Sequence, residues 1–515
     1  MRTLGYLLLS LLAGNCATPT WAAGRARHVV VLVWDGMRPD FITEQYTPTL
    51  WQLAREGVFF RNHHPVYISS TEVNGTAIAT GAYPEHSHVM ANIEYRPGID
   101  WQAPIETQSL TAVRKGDELT HGHYLARPTV AEILQRAGRG TAIAGSKPVA
   151  LLHDRAARTA ASARGVTLFE GLTLPPNALA DITRRLGAFP PIHITKADRD
   201  AWTTEALTGP LWDRAVPAFS LLWLAEPDYS QHATGPGSQQ SLAGIRSCDE
   251  NLGRVLRALT ARGLRALTDV LIVSDHAFST IARTIDLARA LNAAGFNAQR
   301  RFTAAPAPGE ILVVSNGGSS LLYVAGHDTK VVRDLVNFLQ GQDYVGVLFT
   351  RHALPGTFAL HAARIDTPMA PDIVVAFRWT PGKSTTGAPG TVISDNYLVP
   401  GQGMHVTLSR FDMHNTLVAA GPDFRAGIND PLPSGNVDLA PTILWILGVN
   451  PPKHMDGRVL SEALTIDGPR IRSFEPRRLT ARCEHPGFVW QQYLNVTEVN
   501  GVVYLDEGNG SATPN

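Results

Sequence analysis

The first strongly apolar segment that reads as folded structure is the unbroken run His28-Val29-Val30-Val31-Leu32-Val33-Trp34, which stops at Asp35-Gly36. A β-branched run without polar alternation marks a parallel strand covered on both faces. A helix is predicted over residues 47–56, stopped by Gly57, and Val58-Phe59-Phe60 begins the next strand. The alternation then repeats, with a helix at 130–136 and a strand at 141–144. Further strands are predicted at 219–224, 270–273 and 417–420, and helices at 241–259 and 438–447. This order predicts an α/β fold: a mostly parallel central sheet with helices on both faces. Ligands of such sheets gather at the carboxyl ends of the strands. Asp35, Asp228 and Asp275 all follow such ends.

Residues 283–400 interrupt the pattern. Their own strand and helix pieces, with Pro and Gly punctuation around 380–390, predict a cap inserted into a catalytic domain spanning 25–466. The tail, 467–515, differs in character. Apolar segments at 490–495 and 502–505 flank Asn500-Gly501, a strong hairpin signal.

Composition narrows the function classes. A chain of 515 residues can build one large enzyme domain with insertions. Acidic and basic residues balance at 45 each, so bulk charge predicts no binding of nucleic-acid polymers or anionic membranes. Arg2, an apolar core at 5–13 and the small pair Ala22-Ala23 read as a signal peptide over 1–22. The segment is too short for an ordinary spanning helix, so no stable membrane span is expected after cleavage. The protein is then periplasmic or secreted. Cys16 invites a lipoprotein reading, but Asn15 stands where a small residue belongs. Cys248 and Cys483 remain, and they are read as buried or idle. Neither has the Cys-x-Pro-x-Arg context of a modified-cysteine sulfatase nucleophile.

Five scattered segments carry the candidate chemistry: Asp35; Thr71 with Asn74; Asp228 with His232; Asp275-His276; and His405. Their three carboxylates, three imidazoles and one hydroxyl are what two zinc-like ions need if a position is to stay open for substrate. Asp228 and His232, four apart, share a face on one helical turn. An apolar run ending in Asp275-His276 would bury an unpaired charge, at a cost of several kcal/mol, roughly, unless a cation partners it. Thr71 is expected at the start of a helix closed by Gly81, where the dipole favours an alkoxide and an incoming phosphate. Each piece also has a plainer reading: a surface pair, a capping Asp, a Thr N-cap, a loop His. By residue type alone Ser69 and Ser70 compete with Thr71, and His414 and His454 compete with His405.

The segments VVVLVWDGMRPD, STEVNGTAIATGAYPEHSH, EPDYSQHATGP, VSDHAF, GMH followed by AAGPDF, and NVDLAPTI, in that order, resemble the alkaline phosphatase superfamily. Within it they resemble the nucleotide pyrophosphatase/phosphodiesterase group. The resemblance covers roughly residues 29–464 apart from the cap. It implies an alkaline-phosphatase-like fold, two Zn2+ per chain and a small phosphate-ester substrate. Asp228, His232 and His405 would hold one ion. Asp35, Asp275 and His276 would hold the other, together with Thr71. Thr71 would attack phosphorus to form a phosphothreonine that water then hydrolyses, and Asn74 would donate to a phosphoryl oxygen. The chain departs from the family where Val73 replaces a usual Pro, Val406 a usual Gly, and Thr407-Leu408-Ser409 a usual Asp-Asn.

The resemblance points to a diesterase. A phosphomonoesterase or phosphonate hydrolase is the alternative on this scaffold, and a non-catalytic metal-binding surface protein is the alternative of another class. A monoester carries more charge on the transferred group, so a monoesterase adds a cation near it. Lys147 is the candidate substrate-binding cation; it follows a strand but lacks the Lys-x-Arg partner of related monoesterases, for which Arg155 is a possible substitute.

Overall fold

In the strand His28–Trp34 (β1), alternate side chains enter two different cores. Val29, Val31 and Val33 pack with Ile78, Leu134 and Leu444 on one face. Val30, Leu32 and Trp34 pack with Leu50, Ile245 and Leu252 on the other. The strand has no polar alternation because both of its faces are buried. The computed structural model describes residues 24–156, 165–193, 195–395 and 398–515. The expected signal peptide, with Cys16, lies outside them.

The central sheet has nine strands. In chain order they are β1, Val58–Phe60 (β2), Thr141–Gly145 (β3), Gly165–Phe169 (β4), Leu172–Leu174 (β5), Phe219–Leu224 (β6), Thr268–Val273 (β7), Leu417–Ala420 (β8) and Ile428–Asp430 (β9). Across the sheet the order is β9-β2-β8-β7-β1-β6-β3-β4-β5. β4, β3, β6, β1 and β7 run parallel, and helices cover both faces, as the sequence pattern predicts. β8 runs antiparallel to β7. Its apolar run is indistinguishable from those of the parallel strands, because burial sets the run and the connection sets the direction.

Between β7 and β8 the chain builds two further sheets, of four and six strands. The four-stranded sheet reaches outside 283–400. It begins with Ser279–Ile285 and ends on Gly403–Met404, which pairs antiparallel with it. The tail forms a sheet of three long strands, Phe474–His485, Phe488–Val499 and Val502–Pro514. Asn500 and Gly501 turn between the last two with φ of 51° and 87°, the conformation that favours Asn-Gly.

The tail also packs onto the rest of the molecule. Tyr504 Oη donates to Asp438 at 2.8 Å, and Gln492 hydrogen-bonds both backbone groups of Leu348. Cys248 and Cys483 are both free, and Cys248 is buried. No helix among the described residues is long and apolar enough to cross a membrane.

Candidate active site

β3, β6, β1 and β7 are neighbours in register, with Gly145 opposite Trp223, Trp34 opposite Leu224, and Val33 opposite Val273. Their carboxyl ends therefore reach one edge together. The loops that leave this edge carry Lys147, Asp228, Asp35 and Asp275-His276. Asp228 opens the helix Asp228–Thr234, so His232 returns one turn later on the same face, with Nε2 3.3 Å from Asp228 Oδ1. His405 follows the strand Gly403–Met404 and brings Nε2 to 3.8 Å from the same oxygen. On the other side of the site His276 Nε2 lies 3.2 Å from Asp275 Oδ2 and 3.7 Å from Asp35 Oδ1.

Two donor groups result: Asp228, His232 and His405; and Asp35, Asp275 and His276. Within each group the ligand atoms lie within 4.8 Å of one another. The division matches the one the family resemblance implies.

Backbone contacts aim the imidazoles. Nδ1 of His232 faces Gly403 O at 3.0 Å, that of His405 faces Ser69 O at 2.9 Å, and that of His276 faces Ala277 O at 3.1 Å. A carbonyl can only accept, so each Nδ1 carries a proton and each Nε2 turns inward; burial lowers the His232 pKa, but Asp228 outweighs it and raises the value. Such outer contacts orient metal-binding histidines. Burial pushes His276 down to about 4 and His405 far below its ordinary value, which keeps both rings neutral.

The carboxylates complete the fit. Asp35 Oδ1, Asp228 Oδ1 and Asp275 Oδ2 are buried and accept no hydrogen bond among the described residues. Burial, and then the neighbouring Asp275, push the Asp35 carboxyl well above the usual carboxylate range. Burial raises Asp275 to about 6. Lone pairs and unpartnered anionic oxygens that face one another at 3.2 to 3.8 Å fit divalent cations between them.

Thr71 is the first residue of the helix Thr71–Thr80, which ends on Gly81 in the left-handed region at φ 66°. Thr71 Oγ1 lies 3.4 Å from His276 Nε2, beside the second donor group. Its rivals turn away: Ser69 Oγ donates to Thr407 O and Ser70 Oγ to Ile68 O. Lys147 enters the centre of the site. Its ammonium lies 2.8 Å from Asp35 Oδ2, 3.1 Å from Asp228 Oδ2 and 3.5 Å from Thr71 Oγ1. Burial would lower the Lys147 pKa, but Asp228, Asp35 and Asp275 outweigh it and hold the group charged.

Three other sequence candidates lie elsewhere. Arg155 pairs with Asp117 and Glu132 and is no partner for Lys147. His414 pairs with Asp506, and His454 is exposed.

Asn74 corrects an expectation. Its Nδ2 donates to Val66 O and Ser70 O, both at 3.1 Å, and its Oδ1 accepts from Val66 N at 2.7 Å and Asn436 Nδ2 at 2.9 Å. With both N–H groups engaged on backbone, Asn74 clamps the loop that leads to Thr71 and does not face a phosphoryl group.

Asn92 went unnoticed in the sequence, where nothing links it to Thr71. Its Oδ1 accepts from Glu72 N at 3.0 Å, and its amide nitrogen has no hydrogen-bond partner among the described residues. It lines a cavity of 770 Å³ together with Tyr229, His232 and His405. Glu72 is the second residue missed. It is buried beside Thr71 with Oε2 unpartnered, and burial pushes its pKa up to about 8. Val406 holds φ at 77°, in the left-handed region that a β-branched residue rarely adopts. That conformation gives a physical reason for the Gly usual there in the family.

The sheet is of the alkaline phosphatase type, and the site offers two groups of residues that could each hold a metal ion. Residues 29–391 match the family model for type I phosphodiesterase/nucleotide pyrophosphatase, and the chain belongs to that family. Mouse bis(5'-adenosyl)-triphosphatase enpp4 is 22% identical over 442 residues, covering 85% of this chain and 80% of the relative. Human ectonucleotide pyrophosphatase/phosphodiesterase family member 7 is 22% identical over 282 residues, 54% of each chain. Among solved structures, murine ectonucleotide pyrophosphatase/phosphodiesterase 5, as an inactive threonine-to-alanine variant in complex with AMP, superposes with a TM-score of 0.58 at 18% identity. That match covers 85% of this chain and 100% of the other.

Proposed function

We propose that the protein is an exported hydrolase of small phosphate esters, with two zinc ions and Thr71 as its nucleophile. One observation carries the reading: two sets of three donors, all buried except the half-buried His232, converge beside one hydroxyl at the carboxyl edge of a parallel sheet. Zinc at both donor groups would lower the pKa of the Thr71 hydroxyl and neutralise charge on the phosphoryl oxygens. Thr71 Oγ1 would attack phosphorus while the bond to the leaving alcohol breaks, leaving a phosphate ester on Thr71. Water would then cleave the Oγ–phosphorus bond and restore the hydroxyl. Asn92 Nδ2, and not Asn74, would donate to a non-bridging oxygen.

Family membership favours diesters and nucleotide pyrophosphates. Relatives named for bis(5'-adenosyl)-triphosphate cleavage and a neighbour bound to AMP make a nucleotide-like substrate the first choice. A second reading, monoester hydrolysis, is favoured by the central position of Lys147. With both donor groups filled, its ammonium would turn to the extra negative charge of a monoester. Comparing kcat/KM for p-nitrophenyl phosphate and for the p-nitrophenyl ester of thymidine monophosphate, on zinc-loaded protein, separates the two. Preference for the diester is the expected result; preference for the monoester selects the second reading. Failure to hydrolyse either substrate would leave the non-catalytic alternative.

A further inference from the structure

We propose a third divalent-cation site, separate from the catalytic pair, at His64, His414 and Asp506. Their ligand atoms lie within 4.8 Å of one another. His64 Nε2 is 3.5 Å from Asp506 Oδ1, and His414 Nε2 is 2.5 Å from the same oxygen. The two rings meet edge to face with centroids 4.9 Å apart.

The tautomer of His64 carries the argument. His64 is buried, and its Nδ1 lies 3.1 Å from Ser434 O. A carbonyl oxygen is only an acceptor, so Nδ1 holds the proton. Burial disfavours a second proton on the ring. The remaining lone pair on Nε2 therefore faces a carboxylate oxygen, an arrangement of two acceptors that a cation between them resolves. A carbonyl on Nδ1 is also the outer contact usual for a metal-bound histidine. His414 and Asp506 are part-exposed, which leaves water to complete a four-coordinate sphere. Two imidazoles and one carboxylate suit a zinc-type ion better than magnesium or calcium. Without an ion, His414 and Asp506 close on each other as a direct hydrogen bond.

The position suggests the role. Asp506 belongs to the last strand of the tail sheet, Val502–Pro514. His64 stands at the entrance to the loop that ends in Thr71. His414 precedes Asn415, whose Nδ2 donates to Ser274 O next to Asp275. One ion would fasten the tail to the segment that leads to Thr71 and to the one that braces Ser274 beside Asp275.

The test is equilibrium dialysis of the full mature chain against buffered Zn2+, with elemental analysis, for wild type, His414→Ala, Asp506→Asn and His232→Ala. Wild type should hold one zinc ion per chain more than His414→Ala and Asp506→Asn, and His232→Ala should keep the third ion. Crystals of the wild-type protein grown with zinc should give an anomalous peak between the three side chains, a readout that needs no variant. Equal zinc content in wild type and both variants, or a hydrogen-bonded triad without an anomalous peak, overturns the proposal. Neither result bears on the catalytic pair, which His232→Ala reports separately.

Discussion

The Lys147 ammonium lies 2.8 Å from Asp35 Oδ2, inside the donor set. A cation there favours whichever substrate presents more charge. Charged hydrogen bonds contribute about 1.5–3 kcal/mol, so Lys147→Met should lower kcat/KM for a monoester by about ten- to a hundredfold. Loss on a diester should be under about tenfold, because its phosphoryl group carries one negative charge fewer. Steady-state kinetics on both substrates read the difference. Equal losses would show that Lys147 only positions Asp35 and Asp228.

Thr71→Ala removes the hydroxyl 3.4 Å from His276 Nε2 and no backbone contact. Turnover should fall by about 10⁴-fold or more, in line with loss of a catalytic nucleophile. Zinc content and thermal midpoint should stay near wild type. A variant that keeps its activity would return the choice to Ser69 or Ser70.

Asn74 and Asn92 should separate cleanly. Asn74→Ala strands Val66 N and Val66 O in a buried loop. Each unpaired buried group costs about 1–3 kcal/mol, so the thermal midpoint should drop by several degrees. Asn92→Ala strands only Glu72 N, so its midpoint should fall by less than that of Asn74→Ala while kcat drops by about 10²- to 10³-fold, as loss of an oxyanion donor does. Melting curves beside kinetics decide, and a reversal of the two phenotypes would contradict the assignment.

His153 supplies a pH prediction away from the donor groups. Its Nε2 is buried without a partner, and burial pushes its pKa from 6.5 down to about 3. Between those values the unfolded chain binds a proton that the folded chain does not, so stability is present above about pH 6.5 and falls as pH drops towards 3. His153→Leu removes this linkage. Relative to the variant, wild type should lose about 2 kcal/mol between pH 7 and pH 5, read by denaturant melts. Parallel pH profiles would count against a neutral buried His153.

Much of the frame could be read from the sequence because burial on both faces writes itself as unbroken apolar runs. β1, β6 and β7 are such runs, and the Asp residues that follow them converge because parallel strands end at one edge. The strand Phe474–His485 escaped notice because it is largely exposed and its side chains show no apolar alternation. The side-chain direction of Asn74 was not legible for a related reason. The direction a side chain takes from a loop or a first helical turn depends on what packs behind it, and neighbours in sequence do not record that. Asn92 lies 21 residues beyond Thr71 and reaches the cavity through a loop of no regular period.

The central claim is a covalent ester on Thr71, and the stereochemistry at phosphorus tests it without requiring the intermediate to accumulate. A phosphorothioate diester of known configuration would be hydrolysed in ¹⁸O-water and the product configuration determined. Two successive in-line displacements, first by Thr71 and then by water, predict net retention. Net inversion, the signature of direct attack by water, would contradict the account.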